Sequence, residues 1–353
     1  MGARYDRALN PDVESLLSKG GLFNFLITDT PGLSPDDAYA LDIQVREGNV
    51  LMYYHGTTRL LTLHFRWKSL KSQMTIKAHA SSAYGEYAEC CQQYQALMKE
   101  WSISDISNFK DAWQAYLKSA MVAANDRYYG NHREGFWQNR LCVEFGRNWT
   151  PSSDWLVIDR ECVIGFKRSA DKKAHYEKAN SKAQEIKLAL QNSDKVKWGT
   201  PDNKGFGDEV DMLAIDKSGS LVVIELKHGV NAKGIYWGPL QAGVYQTAFK
   251  AAPLEVLKGV EKLIAQKIKL GLLPNAAAKR VPSFLKLGDP VLAIAEPKKD
   301  SRCWGKLGEV CQKTKDWPLK IVMIEMQNDH CAIFQCEPDR QALQSCMNGM
   351  RGK

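Results

Sequence analysis

The chain lacks any apolar run of the roughly 18 residues that a membrane-spanning helix needs, so no transmembrane segment is expected. The opening residues Met1-Gly2-Ala3-Arg4-Tyr5-Asp6 are not followed by a short apolar core with a cleavage site, which argues against a secretory signal. Asn148-Trp149-Thr150 fits the glycosylation pattern, but without a secretory route the match reads as chance. Cys-x-x-Cys pairs are missing as well. The nine cysteines are an odd number, which indicates neither a disulfide framework nor a zinc ribbon. They are expected to be buried or idle thiols in a reducing cytoplasm. Cys303, Cys311, Cys331 and Cys336 come nearest to a metal cluster, and their spacing fits no common pattern. No His-x-x-x-His pair, Gly-x-Gly-x-x-Gly, Walker loop or nucleophile elbow is present, so the chain is not expected to hydrolyse ATP by itself.

What is there suits a globular protein. At 353 residues the chain can bury a sizeable core and favours two domains or one elaborated domain. The net charge of +8 is unevenly placed: Lys250 to Lys320 holds 15 Lys and Arg against 7 Asp and Glu, and the remainder holds 33 of each. That segment includes an amphipathic stretch, Leu254 to Leu273, with Leu257, Val260, Ile264 and Ile268 on one helical face. Lys258, Lys262, Lys267 and Lys269 lie elsewhere around it. Such a basic surface attracts a phosphate backbone; a solvated lysine-rich helix is the plainer reading.

Residues 40 to 66 read as a β-meander, punctuated by Gly48-Asn49 and Gly56-Thr57. Two helices are expected next. One carries Tyr84, Tyr87, Cys91, Tyr94, Met98 and Trp101 at helical spacing; the other carries Phe109, Trp113, Tyr116, Leu117 and Met121, with Ser104-Asp105 as its N-cap. Aromatics at this spacing could stack on bases, but they read first as core. A further helix is expected over 133–146, then a hairpin of Trp155 to Ile158 and Cys162 to Phe166 turned at Asp159-Arg160-Glu161. A polar helix covers roughly 171–192, and Ser193 to Gly207 reads as a loop. Val291 to Ala295, Leu319 to Met326 and Cys331 to Phe334 supply later strands. The order of helix, strands, helix and strand fits an α/β sandwich around a mixed sheet.

The most informative stretch is 207–227. Asp211 lies in one apolar run, Asp216-Lys217-Ser218-Gly219-Ser220 supplies a turn, and Leu221 to Ile224 reads as a buried strand leading to Glu225-Leu226-Lys227. Side chains alternate along a strand, so Glu225 and Lys227 share a face, and pairing across the turn brings Asp211 towards Glu225. Two converging carboxylates form a hard-oxygen site suited to magnesium. Glu209 shares the face of Asp211, as an outer ligand or a plain salt bridge; Asp208 lies on the other face and is expected to be solvated. His228 points away from Glu225 and Lys227 and reads as a strand-end histidine. By itself Glu-x-Lys means little. Glu185-Ile186-Lys187 repeats it within the expected solvated helix, and an ordinary hairpin also carries charges at its strand ends. A helical segment follows with Gln241 and Tyr245 at i, i+4 spacing.

This combination resembles the PD-(D/E)XK nuclease superfamily, the restriction-endonuclease-like fold. Gln241 and Tyr245 look like the Gln-x-x-x-Tyr motif of nucleases similar to the exonuclease domain of bacterial recombination helicase-nucleases. The resemblance covers roughly residues 130 to 335 and rests mainly on 205 to 250. It departs from the family upstream, where Val210 replaces the usual proline before Asp211. The resemblance implies a mixed central sheet flanked by helices at 129–353, behind an accessory α/β domain at 1–128 of unassigned role. It implies a Mg²⁺-dependent nuclease, with Mn²⁺ able to substitute, acting on nucleic acid, DNA favoured, in defence or repair. Asp211, Glu225 and the main-chain carbonyl of Leu226 would hold the metal, with Glu134 or Glu144 lending a third acid. Lys227, Gln241 and Tyr245 would complete the catalytic set. RNA cleavage, or a binding module that keeps the fold, are the alternatives, and a homodimer or protein partner is left open.

Overall fold

The computed structural model describes residues 3–33, 41–67, 74–80, 85–125, 133–192, 197–199, 206, 209–283, 285–299, 301–338, 341–343 and 345–346. The expected boundary near 128, Tyr84, Asp208 and most of the 193–207 loop lie outside them. Two compact units form: Met1–Tyr5, Ser152–Gly259 and Arg280–Lys353 make one, and Asp6–Pro151 with Val260–Lys279 make the other. This differs from a single cut near residue 128. Residues 133–151 and 260–279 join the N-terminal unit, and for 260–279 the reason is one no local pattern could reveal. The Leu9 amide and carbonyl both bond to Gln266, at 2.7 and 3.1 Å, and Lys267 donates to Gln44 at 2.6 Å.

The chain opens with β1 (Ala3–Arg4), α1 (Pro11–Leu17) and α2 (Phe25–Thr28). The N-terminal unit is then built on an antiparallel sheet of β2 (Asp42–Arg46), β3 (Val50–His55), β4 (Thr58–Trp67), β5 (Met74–His79) and β6 (Glu100–Ser102), in that order. The meander extends two strands beyond the expected span. The first expected helix is shorter than its aromatic spacing suggests: α3 spans Gly85–Gln93 and a 3₁₀ turn follows. Trp101 instead sits in β6, where pairing with β5 outweighs helical periodicity. In α4 (Ile106–Ala123), Phe109, Trp113, Tyr116 and Leu117 are buried as expected. Asp105 occupies its N-cap position but makes no capping bond; Ser102 accepts from the Ser104 amide instead. Then α5 (Glu134–Cys142) runs on into a π turn over Val143–Arg147.

In the other unit, β7 (Trp155–Val163) is one continuous strand, not the expected hairpin. Asp159-Arg160-Glu161 does not turn. Asp159 and Arg160 are fully buried, and the irregularity is absorbed by a bulge between Val157 and Asp159 and a positive φ of 47° at Glu161. The Tyr5 hydroxyl donates to Asp159, a long-range bond that keeps a carboxylate inside a strand. The chain continues through β8 (Gly165–Phe166), which pairs with β1, α6 (Ser169–Gln191), β9 (Glu209–Asp216), β10 (Ser220–His228) and α7 (Ala232–Lys250). It then passes through α8 (Pro253–Lys269), β11 (Lys286–Leu287), β12 (Val291–Ala295), α9 (Cys303–Lys313), β13 (Lys320–Gln327) and β14 (His330–Cys336).

The central sheet has the order β14-β13-β12-β10-β9-β7, with β11 paired to β10 off this path. β9 is antiparallel to both of its neighbours, β7 and β10, and β12 and β13 run parallel to β10. α7 packs on β10 and β12. The buried strands Leu221–Ile224 and Val291–Ala295 are continuous apolar runs, as a sheet covered on both faces requires. The fold class is therefore mixed α/β.

Two further expectations change. Cys336 and Cys346 are joined in a disulfide rather than left as idle thiols, because Cys346 lies against β14, its Sγ 3.9 Å from the Gln335 carbonyl. Two of the four α8 lysines are drawn to partners, while Lys258 and Lys262 stay exposed. Lys267 is buried on Gln44, Lys269 pairs with Glu14, and Lys258 lies 3.8 Å from Glu255. No helix among the described residues is long and apolar enough to cross a membrane.

Candidate active site

The site arises where the central sheet forks. The β9–β10 ladder runs from Leu221↔Ile215 to Ile224↔Met212 and stops one residue short of Glu225 and Asp211. Beyond that point β9 keeps its pairing to β7, through Val210 and Glu209, while β10 stays with β12 as far as His228. The two strands therefore part, and each must satisfy its inner edge in another way. Asp211 does this for β10: its Oδ2 accepts from the Leu226 amide at 2.8 Å. A strand residue presents its N–H and C=O on the same edge, so the Leu226 carbonyl faces this opening too.

Glu225 is 0% exposed and Lys227 only 8%. Lys227 Nζ contacts Glu225 Oε1 and lies 3.7 Å from Asp211 Oδ2. The ammonium thus compensates two carboxylates in a largely dry recess, where an isolated charge would be costly. The space for its stem comes from Gly234, since a Cβ there would lie 2.7 Å from Lys227 Cδ and 2.6 Å from Asn231 Nδ2. Asn231 in turn caps α7, accepting from the Gly234 amide at 2.9 Å.

α7 also carries Gln241 and Tyr245. The Gln241 side-chain amide donates to the Tyr245 hydroxyl at 2.9 Å. Tyr245 is buried, and burial pushes its phenol well above the ordinary range. The charges of Glu225 and Asp211 push the same way, while the Gln241 bond and Lys227 oppose them. The phenol therefore stays protonated and senses all three charged groups.

Asp211, Glu225, Lys227, Gln241 and Tyr245 thus gather around one sheet end and one helix. Glu134 and Glu144 belong to the other compact unit. Glu144 lies 3.4 Å from Arg140, one helical turn away. Glu209 is exposed at the β7 side of the fork. His228 turns to Glu296, with Nε2 3.3 Å from Oε2, and its Nδ1 accepts from the Val230 amide. That backbone donor requires the Nε2–H tautomer, so His228 is committed to structure.

No protein-family model, curated protein or solved structure matches this chain. The site must be judged on its chemistry. Two carboxylates and a strand carbonyl are hard-oxygen donors, and magnesium is commonly held by one or two carboxylates with water filling the rest. Among the described residues no third His, Cys, Asp or Glu joins them. The set fits such an ion. Sequence reasoning missed Asn231 and Gly234, although asparagine just before a helix is a readable cap signal. The Leu226 amide bond to Asp211 had no such signal, because it depends on where two strands separate.

Proposed function

We propose that this protein is a Mg²⁺-dependent nuclease that hydrolyses phosphodiester bonds, with DNA the favoured substrate. One observation carries the reading: Asp211, Glu225 and Lys227 come from two strands of a forked sheet and meet beside Gln241 and Tyr245 of the following helix. The order of helix, antiparallel strands, helix and parallel strand supports the restriction-endonuclease-like core that the sequence motifs imply.

Asp211, Glu225 and the Leu226 carbonyl would hold the ion, which when bound supplies Lewis-acid charge and lowers the pKa of water. Lys227 would leave its two carboxylates to bind a non-bridging phosphate oxygen and offset charge building there. Gln241 would orient the attacking water through its side-chain carbonyl, because its amide is committed to Tyr245. Tyr245 accepts that bond and keeps its own proton to donate to a phosphate oxygen.

A second reading has its own observation. Lys227 already neutralises the carboxylates, so the cluster could be a purely structural ion network in a nucleic-acid-binding module. Cleavage of supercoiled plasmid, linear duplex, single-stranded DNA and RNA with Mg²⁺, Mn²⁺ or EDTA separates the two. Metal-dependent cutting that disappears in Asp211→Ala and Lys227→Ala establishes the nuclease. Binding without cutting on every substrate, unchanged by both substitutions, establishes the module.

A further inference from the structure

Beside the site, the segment Lys197-Trp198-Gly199 lies against the first turns of α7 and against α9. Its tethers are specific. The Gly199 amide donates to the Tyr236 hydroxyl at 3.0 Å, Trp237 Nε1 donates to the Gly199 carbonyl at 3.2 Å, and Lys306 donates to the Lys197 carbonyl at 2.6 Å. Tyr236 and Trp237 are buried, whereas Trp198 is half-buried. Its ring centroid lies 5.1 Å from Trp237 at a 33° tilt and 5.5 Å from Tyr236 edge-on. Lys306 Nζ stands 5.7 Å from the Trp198 ring and 5.1 Å from that of Tyr236. Gly199 is held close, since a Cβ there would meet Tyr236 Oη at 2.8 Å and Lys233 Cε at 3.2 Å. Lys233 is exposed and immediately precedes Gly234, the residue that leaves room for Lys227.

A half-buried indole backed by two buried aromatics, with two lysines near it, is the chemistry of a base-stacking platform. A fold that only needed to anchor this segment could do so through the three hydrogen bonds. The indole Nε1 is buried and finds no partner, so Trp198 is not kept for its hydrogen bond. Resting on the nuclease reading above, we propose that Trp198 stacks an unpaired nucleobase of the strand being cut, while Lys233 and Lys306 hold its phosphates. This ledge would select strands with an accessible base next to the scissile bond. Paired duplex offers no free π-face there.

The test uses the full-length protein in EDTA, so that nothing is cut. Anisotropy of a labelled single-stranded 20-mer is compared with an abasic strand of equal length and with blunt duplex. Wild type should bind the base-bearing strand most tightly. Trp198→Ala should weaken that binding about 5- to 100-fold, the range expected for losing one base–aromatic stack, and leave the abasic strand unchanged. Trp198→Leu keeps apolar volume without a π-face and should behave like Trp198→Ala, whereas Trp198→Phe should retain most of the affinity. Circular dichroism checks that each variant is folded. Equal binding of base-bearing and abasic strands by wild type overturns the ledge, as does an unchanged affinity in a folded Trp198→Leu protein. Failure of the nuclease reading would look different: base-dependent binding through Trp198 would persist, with no cutting in Mg²⁺.

Discussion

The chain spells Glu-x-Lys three times, and the copies on β10 and α6 have opposite fates. Glu225-Leu226-Lys227 lies on β10, where residues two apart share a face, so the carboxylate and the ammonium meet in a recess with Asp211. Glu185-Ile186-Lys187 lies on α6, where residues two apart point some 200° from each other. There Glu185 is exposed, whereas Lys187 is buried on the face that also holds Tyr176, Ala179, Ala183 and Leu190. That helix is thus half-embedded, not simply solvated as its composition suggests. Burial alone acts on Lys187 and lowers its pKa. The same three letters make a charge cluster in one setting and a buried helix lysine in the other, because the repeat of the secondary structure decides which side chains meet.

The sharpest way to break this comparison is catalytic. Asp211→Ala and Lys227→Ala should each lower metal-dependent cleavage by about 10²–10³-fold or more, the range for losing a group that stabilises transition-state charge. Lys187→Ala should leave the rate unchanged. Equal losses at both lysines, read from initial rates of plasmid nicking, would remove the distinction.

Stability in EDTA should separate the motifs next. Lys227→Met leaves the Glu225 charge buried without its ammonium and should cost about 3–5 kcal/mol by urea unfolding. Adding Glu225→Leu should recover most of that loss. Glu185→Gln should stay within about 0.5 kcal/mol, as for most surface changes. If the Lys227→Met protein is as stable as wild type, the recess is wetter than its burial indicates.

A smaller effect is expected at Gly234. Gly234→Ala places a methyl against Lys227 and Asn231 and should slow cleavage about tenfold to a hundredfold by displacing the ammonium. An unchanged rate would show that the lysine stem has room to spare.

The smallest effect is the pH response of the buried helix lysine. Its folded pKa lies below the ordinary 10.5, so between those values the unfolded chain binds more protons than the folded one. Stability should therefore rise with pH through that window, and Lys187→Met should flatten the rise. Urea midpoints from neutral to alkaline pH, compared between the two proteins, would expose the absence of such a difference.

Much of the candidate site was legible beforehand, and the reason is local. Asp211, the 216–220 turn and Glu225 belong to one hairpin, and Gln241 and Tyr245 to one helix, so short-range periodicity suffices to group them. Legibility failed where distant partners intervened. Asp159 and Arg160 look like turn residues until Tyr5, 154 residues away, accepts the role of partner inside the sheet. Trp101 fits a helical stripe but is claimed by β5, and the α8 lysines look solvent-facing until Gln44 and Glu14 take up two of them. Cys336 and Cys346 are only ten residues apart, yet their disulfide depends on Cys346 lying against β14.

By itself the sequence determined the strand–turn–strand–helix segment and the set of charged groups it carries, because alternation along strands and the 3.6-residue helical repeat act within a few residues. Only the tertiary structure decided that β9 leaves β10 at Met212, that Asp211 then caps the Leu226 amide, and that Gly234 opens room for Lys227. Those features depend on which strand each edge pairs with next and on how closely a helix approaches a strand. Both are set by packing between residues that the sequence keeps far apart.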